Sequence, residues 1–125
     1  MTDNQTRQPD RNDLVHALYS TVDRRDAPGL ARFLTDTIVF RLGNHDPIVG
    51  LNAVLDANEA FFRTIENMSH DIAGIWTVDE TTICNGNVHY VRLDGSRLTL
   101  PFATILTFQD ERIADYRVYV DVSPL

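Results

Sequence analysis

Lysine is missing altogether: all 11 basic residues of the 125-residue chain are arginine. That absence removes Schiff-base chemistry on a side-chain amine. Against 18 acidic residues the formal net charge is −7, and the arginines form no basic cluster. A nucleic-acid backbone is therefore a poor partner. Cysteine is nearly absent too. Cys84 alone excludes an intrachain disulfide and a thiolate zinc cluster. No apolar run approaches the ~18 residues of a membrane span. The first 25 residues have neither a basic start nor a secretory apolar segment. No membrane partner and a cytoplasmic location are the resulting expectations. Phosphate-cradling glycine loops, the Rossmann fingerprint and Walker A are all missing, so no nucleotide is implied. Ser20, Ser69, Ser96 and Ser123 lack a Gly-x-Ser-x-Gly elbow. With no His-x-His and no His-Glu-x-x-His, no metal is implied, and no cofactor is expected.

What is present suits one compact domain of 12–125 behind a flexible arm, Met1–Arg11. A helix starts near Asp10 or Asn12 and presents Leu14, Val15, Leu18 and Val22 at helical spacing. Asp26-Ala27-Pro28 opens a second, short helix carrying Leu30, Phe33 and Leu34 and ending near Asp36. Thr37–Leu42 has the β-branched content of a strand, and a loop follows at Gly43–Pro47. A third helix covers Gly50–Ile65. From Met68 the period becomes two, giving strands over 69–76, 80–93, 97–108 and 112–122. Asp94-Gly95 is a hairpin turn, Gln109–Glu111 a second turn, and Asn85-Gly86-Asn87 a candidate bulge. Helices gathered ahead of a strand meander give an α+β fold. Pro101 belongs at an edge, bend or bulge.

Several side chains carry chemistry. Tyr90, Arg92 and Asp94 alternate along one strand and share a face. A guanidinium beside a carboxylate keeps it ionised, so Asp94 is either a general base or half of a hairpin-end ion pair. Arg41 interrupts an apolar strand, and either binds a developing oxyanion or points to solvent. His70 is either a proton shuttle or a strand-end residue satisfied by one hydrogen bond. Arg117, Tyr119 and Asp121 form another same-face row, suited to an interface or to orienting a catalytic carboxylate.

Three stretches carry a wider likeness: Tyr90–Gly95, Leu100–Ala103 and Glu111–Asp121. Ala31–Thr37 ahead of a strand and Val49-Gly50 ahead of a helix add to it. With them the chain resembles the SnoaL-like branch of the NTF2-like superfamily, home to polyketide cyclases, ketosteroid isomerases and limonene epoxide hydrolase. The resemblance implies a cone: a curved mixed or antiparallel sheet around a pocket, capped by three N-terminal helices and often paired as a homodimer. It implies a pocket lined by Leu18, Val39, Phe61, Phe102, Thr104, Leu106, Tyr116 and Val118, with Asp94, Arg92, Arg41, His70 and Tyr90 as its chemistry. Arg92 and Asp94 match the Arg and Asp of the epoxide-hydrolase pattern, whose second Asp falls at Val118. The implied activity is cofactor-independent isomerisation, cyclisation, dehydration or hydrolysis of a small hydrophobic polyketide-, terpene- or steroid-like molecule. The alternative is a non-catalytic, dimeric small-molecule-binding or accessory domain.

Overall fold

The computed structural model describes residues 10–125. The Asp10 carboxylate accepts a hydrogen bond from the Asn12 amide at 2.9 Å, capping helix α1 (Arg11–Asp23). Arg11 thus belongs to the helix rather than to the expected arm, and residues 1–9 lie outside the described residues. One stripe of α1, made of Val15, Leu18, Tyr19 and Val22, is buried.

After α1, Asp26 accepts from the Gly29 amide at 3.1 Å and starts a 3-10 helix, Pro28–Phe33. The second helix is therefore shorter and tighter than expected, and it stops before Asp36. Strand β1 (Leu34–Leu42) takes over, because Thr35, Thr37, Ile38 and Val39 favour extended backbone. A short strand missed in the sequence, β2 (Ile48–Val49), returns antiparallel against β1 before helix α2 (Leu51–Phe62). The meander follows as β3 (Ile65–Val78), β4 (Thr81–Arg92), β5 (Arg97–Gln109) and β6 (Arg112–Tyr119). β3 begins earlier than Ser69, while β6 ends before Asp121.

The sheet order is β2-β1-β6-β5-β4-β3. Only β1 and β6 run parallel; the other neighbours are antiparallel, so the α+β sheet is mixed and curved. Gly95, at φ 87°, makes the hairpin that sets Val91 opposite Arg97. Pro101 pairs with Asn87 on one side, whereas β6 first meets β5 at Ala103. Its missing amide therefore falls where the strand is locally an edge.

Bending comes from register shifts, one of them in β3 between Ile72 and Gly74. Gly86 sits opposite that bulge, and a Cβ there would run into the Asp71 carbonyl oxygen. α1, the 3-10 helix and α2 fill the concave side with a core centred on Ile38, Cys84 and Leu106, all 0% exposed. Among the described residues, no helix is long and apolar enough to cross a membrane.

Candidate active site

Between the concave sheet face and the helices lies a chamber of about 180 Å³. Its walls are mostly apolar: Val22 from α1, Phe40 and Leu42 from β1, Phe61 and Phe62 from α2, and Met68, Val88, Phe102 and Val118 from the meander. Polar groups converge from Tyr19, Asn58, His70, Tyr90 and Tyr116, with His45 and Asp46 contributed by the loop after β1. An apolar chamber with few polar groups is the usual form of a small-molecule site.

The strongest polar contact joins α1 to β3. His70 Nδ1 lies 2.6 Å from Asp23 Oδ1, and the His70 backbone amide donates to Asp23 Oδ2 at 2.9 Å. Both carboxylate oxygens thus hold one residue. A carboxylate oxygen accepts from both groups, so Nδ1 is the ring nitrogen that carries the hydrogen in this contact and Nε2 is left outside it. The His70 side chain is 8% exposed, with its ring 4.6 Å from that of Tyr19 and 5.0 Å from that of Phe102. This is a preoriented imidazole.

Asp23 escaped the sequence reading, although it leaves one signal. It is the last residue of α1, where a negative charge opposes the helix dipole. A carboxylate in that unfavourable position points to a tertiary partner, but nothing in the sequence identifies His70 as that partner.

A second network lies deeper. The Tyr116 hydroxyl donates to Tyr19 Oη at 3.3 Å, and Tyr19 donates to Thr104 Oγ1 at 3.0 Å. Thr104 also lies 2.8 Å from Cys84 Sγ. Burial is the main reason that the Tyr19, Tyr116 and Cys84 pKa values are all raised, so these groups stay protonated. Tyr90 is different. Its pKa is pushed up to about 12, first by burial and then by the Asp23 charge. It therefore keeps its proton at neutral pH and can donate it in a hydrogen bond.

Of the residues read from the sequence, the chamber gathers His70, Tyr90, Phe61, Phe102, Tyr116 and Val118. Leu18, Thr104 and Leu106 are packed into the core behind it. Val39 and Arg41 are corrected by strand parity: Phe40 and Leu42 take the inner side of β1, which turns their neighbours outward. Arg41 Nε instead donates to the His45 carbonyl at 3.0 Å. Arg117 Nε pairs with Asp115 at 3.0 Å, Tyr119 is exposed, and Asp121 accepts from the Ser123 amide beyond the end of β6. The expected three-residue row on one strand is thus reduced to Arg117 and Tyr119.

Asp94 and Arg92 need the largest correction. Asp94 lies in the exposed hairpin turn, outside the chamber lining, and accepts from the Ser96 hydroxyl at 2.6 Å and the Ser96 amide at 2.9 Å. Arg92 reaches Ser96 Oγ at 3.1 Å and the Pro124 carbonyl at 2.8 Å. Hydrogen bonds from the Ser96 hydroxyl and then its amide hold the Asp94 carboxyl below its ordinary value. A depressed carboxyl pKa stabilises the fold above the unfolded value, and that support is lost as pH falls through the lower folded value. Asp94→Ala should thus unfold at lower urea than wild type at pH 7, with the gap closing below about pH 4. A gap that persists unchanged at pH 3 would contradict this account.

The comparisons agree with this architecture. A protein of the NTF2-like kind, of unknown function, from Burkholderia pseudomallei K96243 superposes with a TM-score of 0.83 at 17% identity, over 94% of this chain and 95% of that one. A hypothetical protein with a ketosteroid isomerase-like fold from Catenulispora acidiphila DSM 44928, solved with trimethylamine, gives 0.82 at 14% identity, over 89% and 87%. An NTF2-like protein of unknown function from Exiguobacterium sp. 255-15 gives 0.76 at 19% identity, over 88% and 99%. At these identities the likeness is one of fold. No curated protein matches the sequence. The SnoaL-like domain profile, however, matches residues 15–116, from the first buried residue of α1 to the tyrosine that lines the chamber from β6, and the chain belongs to that SnoaL-like domain family.

Proposed function

We propose that the protein performs cofactor-independent acid–base catalysis on a small hydrophobic molecule of polyketide, terpene or steroid type. The observation that supports this is the 2.6 Å contact between Asp23 and His70, which leaves Nε2 as a base at an apolar chamber. His70 takes the role that the sequence pattern suggested for Asp94. Nε2 accepts a proton from carbon beside a carbonyl, or from a hydroxyl. The Tyr90 hydroxyl donates to the oxygen on which charge develops. Asp23 offsets the positive charge formed on the imidazole. Return of the proton from Nε2 to another carbon is isomerisation; its delivery to a β-hydroxyl, which then leaves as water, is dehydration; attack of the carbanion on a second carbonyl, with the proton delivered to the new alkoxide, is cyclisation.

Deuterium uptake beside the carbonyl of cyclohexanone tests the shared first step. Saturable, protein-accelerated uptake supports the reading. Binding with uptake at the buffer rate would favour the alternative, a non-catalytic binding or accessory domain. That alternative gains from Asp94, which is held by Ser96 at a turn and offers no second carboxylate to the chamber.

Assembly belongs to the same proposal. On the outer sheet face Trp76 pairs with Ile83, Ile83 with Ile105, and Ile105 with Arg117. Trp76 is 56% exposed and Tyr119 51%. Aromatic residues and arginine on the outer face of the sheet suit a homodimer burying ~2,000 Å² or more. Light scattering at micromolar concentration should give twice 14.2 kDa, and Trp76→Glu should return the monomer. A wild-type monomer would reject the dimer.

A further inference from the structure

The chamber is small for a protein with this proposed chemistry. An apolar cavity of about 150 Å³ takes up one benzene molecule. At about 180 Å³, this one has room for a six-membered ring with small substituents. Sites for larger ligands run to roughly 300–1,000 Å³. More space exists outside, in a groove along Arg41, Arg117, residues 120–123 and Leu125; Leu42, His45, Phe61, Val118 and Val120 line both spaces, and Phe61 is the largest of them. Its ring meets Tyr90 edge-to-face at 6.2 Å and Phe62 at 6.4 Å, so it stands packed between chamber and groove. A second ring that extends from the chamber toward the groove meets it.

Charge narrows the ligand further. No arginine lines the chamber; Arg41 and Arg117 belong to the outer groove. An anionic ligand would enter without a cation and would face the Asp23 carboxylate behind His70, at a large desolvation cost. A cation gains little there: both oxygens of Asp23 already hold His70, and Asp46, the other carboxylate in the lining, is exposed on the loop after β1, where water screens its charge. A neutral ligand fits what remains. The Tyr90 hydroxyl has no hydrogen-bond partner among the described residues and offers one donor, while His70 Nε2 offers one acceptor.

We infer that the chamber selects neutral, single-ring compounds bearing a carbonyl or hydroxyl group, and that Phe61 is the residue that sets the size limit. The inference rests on His70 and Tyr90 being the groups that meet the ligand, but its test reads binding and not turnover. Calorimetry would compare cyclohexanone, α-tetralone and anthrone, which carry one, two and three rings. Cyclohexanecarboxylate and cyclohexylammonium test charge.

Wild type should prefer cyclohexanone over α-tetralone by roughly tenfold or more, and over both ions likewise. Phe61→Ala should reverse the ring preference, with Phe61→Leu intermediate. Unchanged thermal unfolding would show that the variants remain folded. If Phe61→Ala does not fold, the inference stands or falls on Phe61→Leu and the wild-type ranking. Wild type binding anthrone as tightly as cyclohexanone, either ion binding as tightly, no ring compound binding at all, or an unchanged ranking in folded Phe61 variants would each overturn the inference. The expected ranking without deuterium uptake would leave the size limit standing and remove the acid–base reading. Uptake into α-tetralone as readily as into cyclohexanone would do the reverse.

Discussion

His70→Asn should slow deuterium uptake into cyclohexanone by about 10²–10⁴-fold, the usual contribution of a positioned base. Asparagine keeps a polar side chain that Asp23 can still bond, so the variant should fold and bind the probe. Asp23→Asn should lose less. Its one amide oxygen can still accept from Nδ1, at the expense of the bond to the His70 backbone amide, and it no longer offsets the imidazolium charge. Tyr90→Phe removes the donor and leaves the ring against Phe61, so it should weaken uptake more than binding. The pattern across the three variants matters more than any one value. Uptake unchanged in folded, probe-binding His70→Asn would end the assignment.

Gly86→Ala should be the most damaging small substitution outside the core. The added methyl meets the Asp71 backbone carbonyl at the bulge, and neither strand can move without breaking the β3–β4 ladder. A loss on the order of 3 kcal/mol is expected, lowering the melting temperature by roughly 10 °C. Gly74→Ala is the matched control. There the nearest atoms belong to the end of the Trp76 side chain, which is 56% exposed and free to swing away. Calorimetric melting of both variants checks the contrast, and equal losses would refute it.

The legible parts of the fold were those set by local chemistry. Asp10 and Asp26 announced the starts of α1 and the 3-10 helix, and Asp94-Gly95 announced the hairpin that fixes the β4–β5 register. Strand length was less visible, because Ile65–Met68 lack the strict alternation that marks the rest of β3. Strand β2, at two residues, is too short to have a period.

The chamber was legible where parity was respected: Tyr116 and Val118 on one side of β6, Arg117 and Tyr119 on the other. Val39 and Arg41 were misplaced because the resemblance set them by position, while alternation along β1 puts Phe40 and Leu42 inside. Asp94 was misplaced for a similar reason. A strand that ends at Arg92 leaves it in the turn, where Ser96 is its nearest donor. The Asp23–His70 pair could not be read at all. It joins residues from a helix and a strand that only the folded chain brings together.

The single parallel pairing governs the order in which the protein can assemble. β3 to β6 are joined by short turns and can form from neighbouring residues, but β1 must wait for the last strand of the chain. That closure spends loop entropy before any contact rewards it, and so belongs to the slow part of folding. Phe40 and Tyr116 meet across this seam, edge to face at 5.2 Å, as two walls of the chamber. Before that closure the chain can hold the hairpins of the meander but no chamber. A ligand held in the chamber would therefore report completion of the fold, and would stabilise only chains in which β1 and β6 have joined.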